Sequence, residues 1–268
     1  MPTVIAGDHR IFYARHAPEA ASSLPLLLLH GAGGSHLHWP PHLRRLPERV
    51  VYALDLPGHG RSTGPGLRSI DAYTEAVHRV VGELKLPAFL LAGHSMGAAV
   101  ALNLALRRPA GLAGLFLVGT GARLPVAPAI LDGLLSDFAA TTALITDLAY
   151  GAATGDRPRQ LFLRRLRETD PVVLYDDFVA CNAFDVTDRL PEIDLPALIV
   201  GGEEDRLTPI RYAQALATSL PHAELHQLAG AGHMAMLEQP DAVTAHLRTF
   251  AAQCDEREGQ EQATDGHR

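Results

Sequence analysis

Along this chain, runs of consecutive aliphatic residues alternate with longer stretches in which apolar positions recur every three to four residues. Residues 26–30, 50–56, 88–92, 112–118 and 197–200 are apolar with almost no interruption. Strands buried on both faces read this way, because helices cover both sides of a parallel sheet. A shorter pair, residues 3–6 and 11–16, is separated by Gly7-Asp8 and predicts an N-terminal hairpin, while residues 223–228 form a last strand-like segment. Helical periodicity falls between them, at roughly residues 38–46, 70–84, 96–107, 210–219 and 242–252. The alternation predicts an α/β domain with a mostly parallel, doubly wound sheet.

One interval breaks the rhythm. From 123 to 190 no buried strand is evident, and helical patches appear near 129–138, 159–166 and 172–183. A structureless loop of that length is unusual in a compact domain, so an inserted helical cap is the better account. The expected organisation is a core domain of residues 1–122 and 191–253, a cap of residues 123–190, and a tail. Residues 254–268 follow the last apolar position with no aliphatic or aromatic side chain beyond Ala263, and are expected to be disordered.

Composition narrows the partners. The chain has 268 residues and a formal net charge of −7, which argues against a nucleic-acid partner, since phosphate binding is dominated by Lys and Arg. The one basic cluster, Arg164, Arg165 and Arg167, reads as a solvated helix face. Cys181 and Cys254 lie far apart and read as free thiols. The first sixteen residues are broken by Asp8, His9, Arg10 and Arg15, and no apolar run approaches the roughly 20 residues of a membrane span, so a soluble cytoplasmic protein without membrane insertion is expected.

The strongest chemical signal is Gly93-His94-Ser95-Met96-Gly97, directly after a buried run and directly before an Ala/Leu-rich helix. A serine on such a strand–turn–helix is exposed above the sheet, and the positions two before and two after it must be small. An alcohol needs a base that takes its proton as it attacks, and histidine suits that role at neutral pH. Of 14 histidines, His233 is best placed, in the small-residue loop Ala229-Gly230-Ala231-Gly232 after the last strand. A carboxylate must orient the imidazole. Glu203, Glu204 and Asp205 follow the strand at 197–200, and proximity alone does not separate them. His36, His38 and His42 stand close together, but no acidic or cysteine ligand accompanies them. They read as surface or helix-face histidines, and neither a metal nor a cofactor is expected.

Five motifs in order, His30-Gly31-Ala32-Gly33-Gly34-Ser35, Asp55 to Ser62, Gly93 to Gly97, Gly202 to Pro209 and Gly230 to His233, resemble the α/β-hydrolase family over nearly the whole chain to about Phe250. The resemblance implies an α/β-hydrolase fold with Ser95 as nucleophile, His233 as base and Asp205, rather than either glutamate, as the orienting acid. It also implies an oxyanion hole from the backbone amides of Ala32 and Met96, with Gly31 or Gly33 as alternatives to Ala32. Trp39 stands where relatives often carry an aromatic and is a candidate substrate-binding residue or a packing one. Phe138, Leu144, Phe162, Phe178 and Phe184 are candidates for the pocket lining or for the cap's own core. Haloalkane dehalogenases and epoxide hydrolases of similar outline carry an aspartate at the elbow, so Ser95 argues against both. The expected reaction is hydrolysis of small to medium apolar carboxylic esters through an acyl-enzyme. Alternatives are carbon–carbon bond hydrolysis of a dienoic diketone acid, whose acid the cap arginines would meet, a lactonase or perhydrolase, and, outside enzymes, a small-molecule receptor.

Overall fold

The computed structural model describes residues 2–19 and 21–265. Eight strands form one sheet: β1 (Thr3–Ala6), β2 (His9–His16), β3 (Ser23–Leu29), β4 (Arg49–Leu54), β5 (Phe89–His94), β6 (Leu112–Val118), β7 (Ala197–Gly202) and β8 (Ala223–Leu228). Their spatial order is β1-β2-β4-β3-β5-β6-β7-β8. The pairs β1/β2 and β2/β4 are antiparallel and every other pair is parallel.

The aliphatic runs divide by alternation. Leu27, Leu29, Leu91, Leu115, Leu117 and Ile199 face one layer, together with α2 (Ile70–Leu84), α3 (Met96–Leu106) and α8 (Arg211–Ser219). Leu26, Leu28, Leu90, Phe116, Val118 and Val200 face the other, with the one-turn helices α1 (Pro41–Arg44) and α9 (Ala235–Glu238) and the long α10 (Pro240–Asp265). Both faces are therefore buried, which is why these strands carry no polar alternation. Helix α2 matches the expected 70–84, capped by the Ser69 hydroxyl, which accepts from the Ala72 amide, and stopped by Lys85 in the left-handed region.

Between β6 and β7 lie four helices, α4 (Pro128–Ser136), α5 (Phe138–Ala149), α6 (Asp156–Glu168) and α7 (Pro171–Ala183). The two ends of this segment meet: Arg123 bridges Asp185, and the Val186 amide donates to the Ala122 carbonyl. Helix α5 has no counterpart among the expected patches. Its sequence, FAATTALITDLA, is rich in β-branched residues of modest helix propensity, and burial of Thr142, Ile145 and Ala149 compensates.

Two expectations need correction. The helix expected at 38–46 is a 3-10 turn, His36–His38, followed by the four-residue α1, because Pro40 and Pro41 lack the amides an uninterrupted helix needs. The tail expected to be disordered from 254 continues α10 to Asp265, and only residues 266–268 lie outside the described residues. Composition misled here because the tail's anchors are few. Cys254 is buried against the sheet, and Asp255 accepts from the Leu24 amide at 2.9 Å and from the Arg49 guanidinium at 3.0 Å. Arg49 is 1% exposed, so Asp255 is the counter-charge of a buried cation. Among the described residues no helix is long and apolar enough to cross a membrane.

Asp255→Ala, or truncation after Cys254, should therefore destabilise the fold by about 2–3 kcal/mol, at or below the lower end of the cost of orphaning a buried charge because Asp255 is itself partly exposed. Urea unfolding measures this. An unchanged midpoint would show that the α10 extension contributes nothing.

Candidate active site

Strand β5 ends at His94, and α3 begins at Met96, so Ser95 alone turns the chain through the elbow with φ 52° and ψ −116°. For a residue with a Cβ this is a strained conformation, costing about 1–3 kcal/mol. Close packing enforces it. A Cβ at Gly93 would lie 2.4 Å from the Gly97 carbonyl oxygen, and one at Gly97 would lie 2.5 Å from the oxygens of Leu29 and His30. The Ser95 amide donates to the Val118 carbonyl, and the Ser95 hydroxyl makes no capping bond to α3. That hydroxyl is thus left over the C-terminal edge of the sheet, at the positive end of the helix.

His233 follows β8 in the Gly-rich loop and is 5% exposed. Its Nδ1–H donates to Asp205 Oδ2 at 2.8 Å. Asp205 is held in turn: its Oδ1 accepts from the amides of Leu207 and Thr208, and its Oδ2 accepts from the Thr208 hydroxyl at 2.7 Å. Burial works against the Asp205 charge, but the facing His233 and the Thr208 bonds outweigh it and hold the carboxyl below the ordinary range. With Nδ1 committed, Nε2 is the imidazole nitrogen available to take a proton. The two glutamates separate cleanly from Asp205. Both are exposed, and Glu204 accepts from the Ala152 amide before α6.

The loop after β3 faces the elbow. Gly31 packs so closely that a Cβ there would sit 2.9 Å from His94 Nδ1 and 3.1 Å from Ser95 Cβ. His30 Nε2 accepts from the Leu56 amide, so its Nδ1 carries the proton and donates to the Gly31 carbonyl at 2.8 Å, where the Gly34 amide donates as well. A trans peptide points its N–H opposite its C=O. Fixing the Gly31 oxygen therefore fixes the direction of the Ala32 amide, which makes no hydrogen bond among the described residues. Gly33 is not an equivalent alternative, because its amide donates to Asp177 Oδ2. The Met96 amide opens α3 and precedes the helix's own bonding.

Ser95, His233, Gly31, Ala32 and Thr208 line one cavity of about 270 Å³. Its walls are mainly apolar: Leu124 and Val126 from the segment before α4, and Ile130, Ile145, Leu148, Phe162, Leu166 and Phe178 from the inserted helices. Phe162 and Phe178 thus line the space. Phe138 and Phe184 pack into the cores, and Leu144 is exposed. Arg206, Arg211 and Tyr212 add polarity, Arg206 being bound to Asp147.

Trp39 is corrected from a candidate binding residue to a core one. It is fully buried, clusters with Leu43 of α1 in the core layer that holds α10, and does not line the cavity. His36 and His38 are likewise buried, not superficial. His36 Nδ1 donates to Asp55 Oδ1, and His38 lines the cavity with its pKa lowered to about 4 by burial and then by the charges of Arg165 and His59. Sequence reasoning also passed over His94, whose Nε2 donates to the His233 carbonyl, and Glu238, which accepts from the amides of Gly232 and Gly151 and so ties the His233 loop to the end of α5. The signal for His94 was its place inside the elbow; Glu238 offered none.

The sequence pattern described as the Alpha/beta hydrolase family matches residues 26–246. A pimeloyl-[acyl-carrier protein] methyl ester esterase from Neisseria meningitidis is 31% identical, covering 87% of this chain and 94% of its own. A 2-hydroxy-6-oxo-6-phenylhexa-2,4-dienoate hydrolase from Burkholderia cepacia is 27% identical, covering 88% and 91%. Among solved structures, a thermophilic esterase superposes with a TM-score of 0.84 at 28% identity, covering 94% of this chain and 97% of that one.

Because Asp205 is held below its ordinary value of about 3.9, its charge stabilises the fold above that pH, and the contribution is lost as pH falls through the folded value. The thermal unfolding gap between wild type and Asp205→Asn should be present from pH 7 to about pH 4 and close below it. A gap that persists at pH 2 would mean that the Asn variant is weakened for reasons other than the charge.

Proposed function

The chain belongs to the alpha/beta hydrolase family, and from that premise we propose that it is a serine hydrolase of small to medium apolar carboxylic esters. One observation carries the reading: a strained serine shares a cavity with a histidine whose far nitrogen is bound to a buried carboxylate. In this reading Ser95 Oγ attacks the acyl carbon as His233 Nε2 takes its proton. Asp205 keeps the imidazole in the tautomer that makes this possible and balances its developing charge. The Ala32 and Met96 amides receive the oxyanion. Neither has to reorient, and losing one such donor typically costs about 2.7–4 kcal/mol. Protonated His233 then returns its proton to the leaving alcohol, and water activated by the same nitrogen releases the acid.

The apolar walls support an apolar acyl or alcohol group. At about 270 Å³ the cavity sits just below the range of roughly 300–1,000 Å³ common for ligand sites, which favours short to medium chains. The carbon–carbon hydrolase reading keeps a relative in its favour but loses the argument from the cap arginines. Arg164 is exposed, Arg167 binds the Ala139 carbonyl, Arg165 faces a separate cavity, and none of the three lines the cavity that holds Ser95.

Hydrolysis of p-nitrophenyl esters from acetate to palmitate should be fastest for short to medium chains and absent in Ser95→Ala, with thermal unfolding nearly unchanged. Asp205→Asn should lower kcat by roughly 10,000-fold, and Glu203→Gln should leave it intact. A silent wild type, or turnover that survives Ser95→Ala, would refute the proposal.

A further inference from the structure

Gly33, one residue beyond Ala32, is held at both its polar groups by the helices between β6 and β7. Its amide donates to Asp177 Oδ2 on α7 at 2.8 Å, and its carbonyl accepts from the Thr169 hydroxyl, between α6 and α7, at 3.0 Å. Gly33 adopts φ +62°, and a Cβ there would meet Leu166 and Leu174 at 2.6 and 2.7 Å, so the helices press on this residue as well as bonding to it.

Asp177 is fully buried and collects donors from three core segments. Its Oδ2 takes the Gly33 amide and faces His59 Nε2 at 2.8 Å, and its Oδ1 takes the Tyr73 hydroxyl at 2.6 Å. The other nitrogen of His59, Nδ1, lies 2.9 Å from the Pro57 carbonyl. A carbonyl and a carboxylate both only accept, so each His59 nitrogen must carry a hydrogen. The Gly33 amide and the Tyr73 hydroxyl both donate to Asp177, the surroundings of an ionised carboxylate, which favours the proton on the ring.

We propose that Asp177 and His59 form a buried carboxylate–imidazolium pair that, with Thr169, positions the oxyanion loop from the cap side. Asp177 acts through Gly33 on the Ala32 amide and is a positioning residue. This rests on the oxyanion role assigned to Ala32 above. The surroundings agree with a charged His59. Burial opposes the charge, but Asp177 and the Pro57 carbonyl outweigh it and raise the imidazolium pKa, while His30 and His38, which also face it, are pushed down in part by that charge. Asp55 and Tyr73 complete the groups facing the ring, and Arg165, Glu168 and Asp170 share a small cavity with its edge. A raised pKa means that the pair is intact below the ordinary histidine value of about 6.5 and is lost as pH rises through the folded value.

Nitrogen-15 correlation spectra of the imidazoles at pH 7 test the pair in the wild type itself. His59 should show two protonated nitrogens, and Asp177→Asn, which keeps the shape but removes the charge, should show a neutral ring. Amide exchange over residues 31–35 should quicken tenfold or more in Asp177→Asn and in Thr169→Val. In ester hydrolysis, kcat should fall tenfold or more with KM within twofold, and the alkaline limb due to His59 should be absent from the Asp177→Asn profile. A neutral His59 in the wild type, or unchanged exchange over 31–35, overturns the clamp, as does faster exchange with unaltered kcat. Should ester turnover prove independent of Ser95, the protonation and exchange measurements still judge the clamp separately from the reaction.

Discussion

Everything at the C-terminal edge of this sheet is arranged around one backbone conformation, that of Ser95. A serine at φ 52° has no local reason to exist; it persists because β5 and α3 are too close for the chain to turn any other way. Glycines at 93 and 97 permit that closeness, and Gly31 permits the loop after β3 to lie against the elbow from the other side. Their substitution by anything larger would separate β5, α3 and the loop together. The placements of Ser95, of the amide at the start of α3 and of the amide of Ala32 are therefore consequences of a single packing constraint.

The polar interior follows the same logic of fixed direction. His30 and His59 have both ring nitrogens assigned by their partners and His233 has one, and the assignments differ because the partners differ. His30 has one donor and one acceptor against it and is neutral with its proton on Nδ1. His233 has an acceptor at Nδ1 and faces the cavity with the other nitrogen. Two acceptors bracket His59 and hold it as a cation. Burial opposes a charge on His30 and His59 alike; it prevails at His30, and only at His59 do the partners outweigh it.

Much of this was legible in the sequence, for reasons that can be located. Runs such as Leu26 to Leu29 mark a strand with two buried faces, and the spacing of Gly93, Ser95 and Gly97 marks the elbow, because both are dictated by contacts one or two residues away. The choice of Asp205 over Glu203 and Glu204 was not available from spacing, since it depends on which carboxylate the turn at Leu207 and Thr208 draws inward. The α10 tail was misread, and Trp39 was left between binding and packing, because their environment is supplied by distant segments: Asp255 answers to Arg49, more than 200 residues earlier. Helix α5 was missed where β-branched residues obscured a helix that tertiary burial stabilises.

The helices between β6 and β7 read from sequence as a roof over a pocket, and their apolar side chains do line it. Their polar side chains matter in another way. Asp177 and Thr169 hold Gly33, while Glu238 and the Met234 amide, which donates to the Ala149 carbonyl, join the His233 loop to the end of α5. The loops carrying Ala32 and His233 thus each take hydrogen bonds from the inserted segment as well as from the sheet. A roof that only shed water would be free to shift as a body. One bonded to both loops transmits any shift directly to the directions of an amide and an imidazole, where an ångström is enough to weaken a transition-state contact. Any change in how these helices sit is thereby coupled to the chemistry proposed at Ser95 without altering the residues proposed to perform it.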